Sequence, residues 1–401
     1  MNTEMCVCHS RIMPDGFDEE LRDLRARSLL RRLRTFDGPQ QPAAMQAGRA
    51  LTNFSSNDYL GLATEPALRE AAKRAIDQYG VGSGASRLVC GTLAPHTQLE
   101  ETLAKFKGTE AALAFTSGYA AAVGTLAGLA RAGDVIILDK LCHASLIDGA
   151  KLSGATLRIF PHNHLGKLES HLAWAREHAP EGRIIIATEA VFSMDGDRAP
   201  LAEIVAIKKR TNALLLLDEA HSIGVLGKNG RGLADALKLQ ADIDIHMGTL
   251  SKALGCSGGY IAGSRALIEL LVNRARSFIY STAPPPATAA AATAAIEWLM
   301  TEAGEQRREA LWKNLARLGD AMPRSLLGEK RIQSAIVPII LGESERALDA
   351  AERLLEAGFV VPAIRYPTVA KDAARLRITV TASHTAEQIT ALCAALNRVV
   401  I

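Results

Sequence analysis

The chain has no charge excess, no cysteine framework and no apolar run fit to span a bilayer, and each absence removes a class of function. Lysine plus arginine number 46 against 43 aspartate plus glutamate in 401 residues, so neither nucleic acid nor an anionic membrane is advertised as a partner. The six cysteines, Cys6, Cys8, Cys90, Cys142, Cys256 and Cys393, are too sparse to staple a fold. They also lack the paired spacing of a zinc site, and read as reduced thiols. The opening MNTEMCVCHSRIMPDG has neither the basic start nor the apolar core of a secretory signal, which makes a cytoplasmic protein the expectation. Within it, Cys6-x-Cys8-His9 reads as a loose terminal segment rather than a metal tail. The most apolar tract, STAPPPATAAAATAAIEWLM, is alanine-rich and broken by three prolines, so it reads as a turn followed by a buried helix. GVGSGAS and GVLGKNGRG are glycine-rich but miss the spacings that cradle a dinucleotide or a triphosphate.

What is present is a regular alternation. AALAFTSG leads into YAAAVGTLAGLARAG, DVIILD into ASLIDGAKLSG, and RIIIATEAVFS into LAEIVAIKKRT, with ALLLLDEAHS and DIDIHMGTLS following. Strands apolar on both faces, alternating with helices, predict an α/β fold with a mostly parallel central sheet covered by helices on both faces. After Pro284–Pro286 the texture changes to a long helix, AIVPIIL, ERALDAAERLLEAG, FVVPAI, RLRITVT and a closing helix, which predicts a smaller α+β domain. The expected divisions are an N-terminal segment 1–52, a large domain 53–285 and a C-terminal domain 286–401, packed against one another.

Loops at the carboxyl ends of parallel strands are where such a sheet binds ligands. Those loops carry Ser117, Gly118 and Tyr119; His143; Glu189 and Ser193; Asp218 and His221; and Thr249, Ser251 and Lys252. Lys252 is set among glycines and small hydroxylated residues in GTLSKALGCSGGY, an odd place for a surface lysine. One cofactor uses every group in this set. Pyridoxal phosphate needs an amine for its aldehyde, a carboxylate for its ring nitrogen, a flat ring beside it, and hydroxyls with helix amides for its phosphate. The interval from Asp218 to Lys252 leaves room for a helix and one more strand.

SSNDYLGL, GSGASRLVCGT, HASLIDG, VFSMDGD, DEAHSIGVLG, GTLSKALG and YSTAPPP, in that order, resemble the α-oxoamine synthases, pyridoxal-phosphate enzymes of the aspartate aminotransferase fold (fold type I). The resemblance implies that Lys252 forms the imine with the cofactor, Asp218 partners the ring nitrogen and His143 stacks on the ring. His221 and Ser193 hydrogen-bond the phenolic oxygen. Gly118, Tyr119, Thr249 and Ser251 surround the phosphate, with Ser281 and Thr282 reaching it from the second subunit of a homodimer. Glu189 falls among the cofactor-side residues. Asn57 and Arg377 match positions near an amino-acid carboxylate, Arg31 and Thr368 match acyl-substrate contacts, and Arg365 is a candidate for either carboxylate. Within the family, SGY, YSTAPPP and the basic LLRRLRTFDG point to the branch that condenses L-alanine with a pimeloyl thioester, on coenzyme A or an acyl carrier protein, in biotin biosynthesis. Relatives that use glycine or serine share the cofactor groups and remain alternatives, as does a non-catalytic paralogue. Two departures stand out: Ala122 replaces the family's asparagine, and PTVAKDAARLR has lost a proline and a glycine from a substrate-side loop. His162, His164, His171 and His178 read as surface residues.

Overall fold

The structure is a computed structural model that describes residues 16–327 and 331–400; Cys6, Cys8 and His9 lie outside the described residues. Among the described residues there are thirteen strands: β1 (Ala43–Gln46), β2 (Arg49–Asn53), β3 (Ala111–Phe115), β4 (Val135–Asp139), β5 (Thr156–Phe160), β6 (Ile184–Glu189), β7 (Leu214–Asp218), β8 (Ile245–Thr249), β9 (Gly259–Gly263), β10 (Ile336–Gly342), β11 (Phe359–Val360), β12 (Ala363–Ile364) and β13 (Ala374–Thr379). Seven of them make the central sheet in the order β3-β9-β8-β7-β6-β4-β5. Only β9 runs antiparallel to its neighbours in this sheet.

The strand interiors explain the architecture. In β4, Val135 and Ile137 pack into one apolar core while Ile136 and Leu138 pack into another; Ile184 and Ile186 of β6 oppose Ile185 and Ala187 in the same way. A strand with period-2 alternation between two apolar cores needs helices on both faces. The helices Gly118–Leu129, Ala144–Ser153 and Arg265–Arg274 cover one face, and those at Ala94–Lys107, Leu165–His178, Leu201–Thr211 and Pro286–Leu299 cover the other.

The tract after the proline triplet is the buried helix its composition predicts: Pro286–Leu299 packs against the helices Pro66–Tyr79 and Ala94–Lys107 of the larger body. The second body holds the antiparallel sheet β10-β13-β12. A third small sheet joins the β1–β2 hairpin to β11, with Thr52 and Asn53 in parallel register with Phe359 and Val360. This pairing ties the residues just before Asn57 to the C-terminal body and so fixes both sides of the cleft. No helix among the described residues is long and apolar enough to cross a membrane.

Candidate active site

Three neighbouring parallel strands deliver the carboxyls and the lysine. Glu189 ends β6 and Asp218 ends β7, paired in register, so their side chains leave the sheet on the same face. Both are buried. Thr249 ends β8, and Lys252 follows three residues later in a tight turn in which the N–H of Gly255 donates to the Lys252 carbonyl at 2.9 Å. Gly255 has φ +64°, and a Cβ there would lie 2.3 Å from the backbone nitrogen of Ala63, so no other residue closes this turn. This accounts for the glycine three residues after the lysine.

Lys252 Nζ lies 3.0 Å from His221 Nε2. Loss of water around the amine pushes it down to about 8, against the pull of Asp218 and Glu189. Burial holds the His221 ring well below its usual range, hence neutral. Asp218 is also pushed upward by burial, opposed chiefly by Lys252; its Oδ1 accepts the Ala220 N–H at 2.9 Å. Burial and then the charge of Asp218 push Glu189 up to about 8, and its Oε1 is enclosed with no hydrogen-bond partner among the described residues.

His143 is the N-cap of the helix Ala144–Ser153: its Nδ1 accepts the Ser145 N–H at 3.2 Å and lies 2.7 Å from Ser145 Oγ. That leaves Nε2 uncommitted and fixes the ring plane. At the start of the helix Gly118–Leu129, the capping Ser117 Oγ accepts the Ala120 N–H at 3.0 Å. Thr249 stands beside this terminus, since a Cβ on Gly118 would sit 3.5 Å from the Thr249 Cβ. Thr249 Oγ1 is 2.6 Å from Ser251 Oγ. A helix N-terminus with two hydroxyls at its mouth is built for a phosphate. Tyr119 is half exposed, and its hydroxyl donates to Asp148 Oδ2 at 2.8 Å, which leaves its backbone N–H rather than its ring to face the cradle. Ala122 is fully buried against the sheet. With no polar side chain there, it supplies no hydrogen bond to the helix start.

From the other side comes Arg377 of β13. Its Nε donates to the Ser193 carbonyl at 2.7 Å, and its two terminal nitrogens donate to Asn57 Oδ1, each at 3.1 Å, and to Thr379 Oγ1 at 2.9 Å. Four of the five guanidinium N–H donors are thereby used. Arg31 donates to Thr368 Oγ1 at 3.1 Å, and Arg365 to the Leu30 carbonyl at 3.0 Å. All three lie on a cavity of about 890 Å³ whose walls include Phe36, Val361 and Ile364. Ser281 is partly buried and Thr282 is exposed and bridged to Ser86.

One histidine differs from its reading as a surface residue. His162 is half-buried between Asp139 Oδ1 at 3.0 Å and Asp197 Oδ2 at 2.8 Å. Burial would discharge it, but the two carboxylates hold it protonated, with a pKa raised to about 10. It ties the end of β4 to the loop after β6, the two segments that carry His143 and Ser193. His171 is likewise engaged, by Arg158 at 3.0 Å; His164 and His178 are exposed. Tyr59 is the functional candidate that motif reading passed over, at 2.6 Å from His221 Nδ1.

The sequence model of the family described as aminotransferase class I and II matches residues 49–396. An 8-amino-7-oxononanoate synthase of Geobacter sulfurreducens is 48% identical over 380 residues, covering 95% of this chain and 96% of that one. The chain is an α-oxoamine synthase by family. Among solved structures, a serine palmitoyltransferase of Sphingomonas wittichii overlays with a TM-score of 0.89 at 34% identity, covering 96% of both chains. A serine palmitoyltransferase from S. paucimobilis, solved with a bound PLP–myriocin aldimine, gives 0.88 at 32% identity over 96% of this chain and 98% of that one. A desolvated amine at Lys252, a buried carboxyl at Asp218 and a helix terminus flanked by the Thr249 and Ser251 hydroxyls are brought together here, a donor set that suits pyridoxal phosphate.

Proposed function

We propose that this chain is an 8-amino-7-oxononanoate synthase, which joins L-alanine to a pimeloyl thioester with loss of carbon dioxide, in the cytoplasm and as a homodimer. The observation that carries the chemistry is Lys252, an amine lowered to about 8 that meets a neutral histidine and no carboxylate at hydrogen-bond distance. The 48% identity to the Geobacter sulfurreducens enzyme supports the choice of reaction.

Pyridoxal phosphate, when bound, supplies an aldehyde for the amine and a ring that spreads the electrons released at the amino-acid carbon. Lys252 is the residue for its aldehyde, Asp218 for its ring nitrogen and His143 for its face. The Gly118 and Tyr119 amides, with the Thr249 and Ser251 hydroxyls, are the residues for its phosphate. The Lys252 amine, lowered to about 8, needs little free energy to stand uncharged near neutrality, and it would take the α-proton of alanine at Nζ. Arg377 meets the alanine carboxylate through its charge and its remaining N–H, with Asn57 holding the guanidinium still. The cavity bounded by Arg31, Arg365 and Thr368 takes the acyl chain, its apolar walls against the methylenes and an arginine for the distal carboxylate.

The homodimer is supported by a patch beside Ser281 and Thr282. Val81, Val89 and Tyr280 are 76%, 78% and 70% exposed, on two segments that the Ser86–Thr282 bridge links, as apolar side chains of an interface would be. The overlay on serine palmitoyltransferases favours a second reading, in which serine replaces alanine and a longer acyl chain is used.

Carbon dioxide release is to be assayed with alanine, glycine and serine against acetyl, pimeloyl and palmitoyl thioesters. Turnover highest with alanine and pimeloyl thioester is the expected result. Faster turnover with glycine and acetyl-CoA, or with serine and palmitoyl-CoA, overturns the assignment.

A further inference from the structure

A hydrogen-bonded chain of side chains runs from the lysine into the core. Lys252 Nζ is 3.0 Å from His221 Nε2, His221 Nδ1 is 2.6 Å from the Tyr59 hydroxyl, and that hydroxyl is 3.3 Å from Asn57 Oδ1. Tyr59 is fully buried, and burial pushes its hydroxyl up to about 12, so it keeps its proton. Valence fixes the direction while Lys252 is an ammonium. An ammonium only donates, so Nε2 accepts and the ring proton sits on Nδ1; Tyr59 oxygen accepts it, and the tyrosine proton goes to Asn57. Asn57 Oδ1 already takes two bonds from Arg377, at 3.1 Å each. A third donor is one more than its lone pairs suit, which explains why the Tyr59 bond is the long one.

When an aldehyde engages Lys252, that donor is gone. The family resemblance sets His221 against the cofactor's phenolic oxygen, to which Nε2 would then offer a proton rather than accept one, and Nδ1 would become an acceptor. Tyr59 is the donor within reach. We propose that Tyr59 is a positioning residue that sets the tautomer of His221, its hydroxyl turning from Asn57 Oδ1 to His221 Nδ1 when Lys252 is engaged. The ring gains and loses no net proton: Nε2 takes the one that the Lys252 ammonium sheds on becoming a free amine, and the Nδ1 proton passes to water. This inference rests on the pyridoxal-phosphate reading.

The test is ¹⁵N NMR of histidine-labelled protein at pH 7, with the His221 signals assigned by their loss in His221→Gln. In the cofactor-free chain the proton is expected on Nδ1, and after loading with pyridoxal phosphate on Nε2. The same tautomer in both states, or Nε2–H in the cofactor-free chain, overturns the inference. In loaded Tyr59→Phe a mixture of tautomers is expected, with cofactor affinity weakened about fivefold by the lost hydrogen bond. Tautomers and affinity unchanged in Tyr59→Phe also overturn it, and if that variant does not fold the wild-type comparison decides alone. A wild-type chain that takes up no cofactor and gains no visible band contradicts the functional reading instead, while its own histidine signals still test the first half of the inference.

Discussion

Lys107, the last residue of the helix Ala94–Lys107, is enclosed by protein, and its Nζ lies 2.5 Å from Glu219 Oε2 and 2.7 Å from the Arg231 carbonyl. Lys252 occupies a more open position, one strand end away, and has His221 for its nearest partner. The two lysines belong to neighbouring carboxylates: Glu219 follows Asp218 directly in the chain. Burial alone would raise Glu219, but Lys107 and His246 bring it down to about 2, so this carboxylate is held ionised. Asp218 is pushed up and Lys252 down, so burial works against the charge on both. A buried lysine is structural when a carboxylate answers it at short range, and reactive when only a neutral group does.

The contrast can be broken by exchanging the outcomes of two substitutions. Lys252→Ala should lower turnover by about a thousandfold or more while leaving the unfolding free energy within about 1 kcal/mol of the parent; urea melts and alanine-dependent carbon dioxide release measure both. Lys107→Met should do the reverse on stability, costing about 3–5 kcal/mol because Glu219 is left as an unpaired buried acid. Replacing both Lys107→Met and Glu219→Gln should recover much of that loss, and a single variant as stable as the parent would show the pair to be idle.

Two pH experiments sharpen the comparison further. Glu189 is raised from an ordinary 4.5 to about 8, so its protonated form is the one that folding favours. Its contribution is fully present below pH 4.5 and is lost as pH rises through 8, at no more than about 1.4 kcal/mol per pH unit. Melting the cofactor-free chain against Glu189→Gln across this window should show the difference, and parallel curves would contradict it. Lys252 titrates at about 8. Its capture of a simple aldehyde, followed by reductive trapping, should therefore rise with pH and level off above 8, whereas an exposed lysine goes on rising toward its ordinary value of about 10.4.

The large fold was legible because β4, β6 and β7 are apolar on both faces, a pattern only a parallel sheet between helices accommodates. The edges were not. β5, read TLRIF, is half-exposed along most of its length, and β9, read GYIAG, is antiparallel and begins and ends on glycine; neither carries the continuous apolar run that marks the other strands. The strand-end residues Glu189, Asp218, His143, Thr249 and Lys252 could be collected from sequence because each follows a legible strand. Tyr59 and His162 could not, since their partners lie far along the chain: Tyr59 bonds a residue 162 positions away, and His162 bonds residues 23 and 35 positions away. Arg377 was placed near a carboxylate, but its bonds to Asn57 and Ser193, which leave it one free donor, follow from two bodies meeting and have no local signature.

The account stands on the identity of one amine. Protein loaded with pyridoxal phosphate, reduced with borohydride, digested and mapped by mass spectrometry should carry the pyridoxyl label on Lys252, with no label in Lys252→Ala. Label on Lys107 or on any other lysine, or a coloured Lys252→Ala protein indistinguishable from the parent, would contradict it.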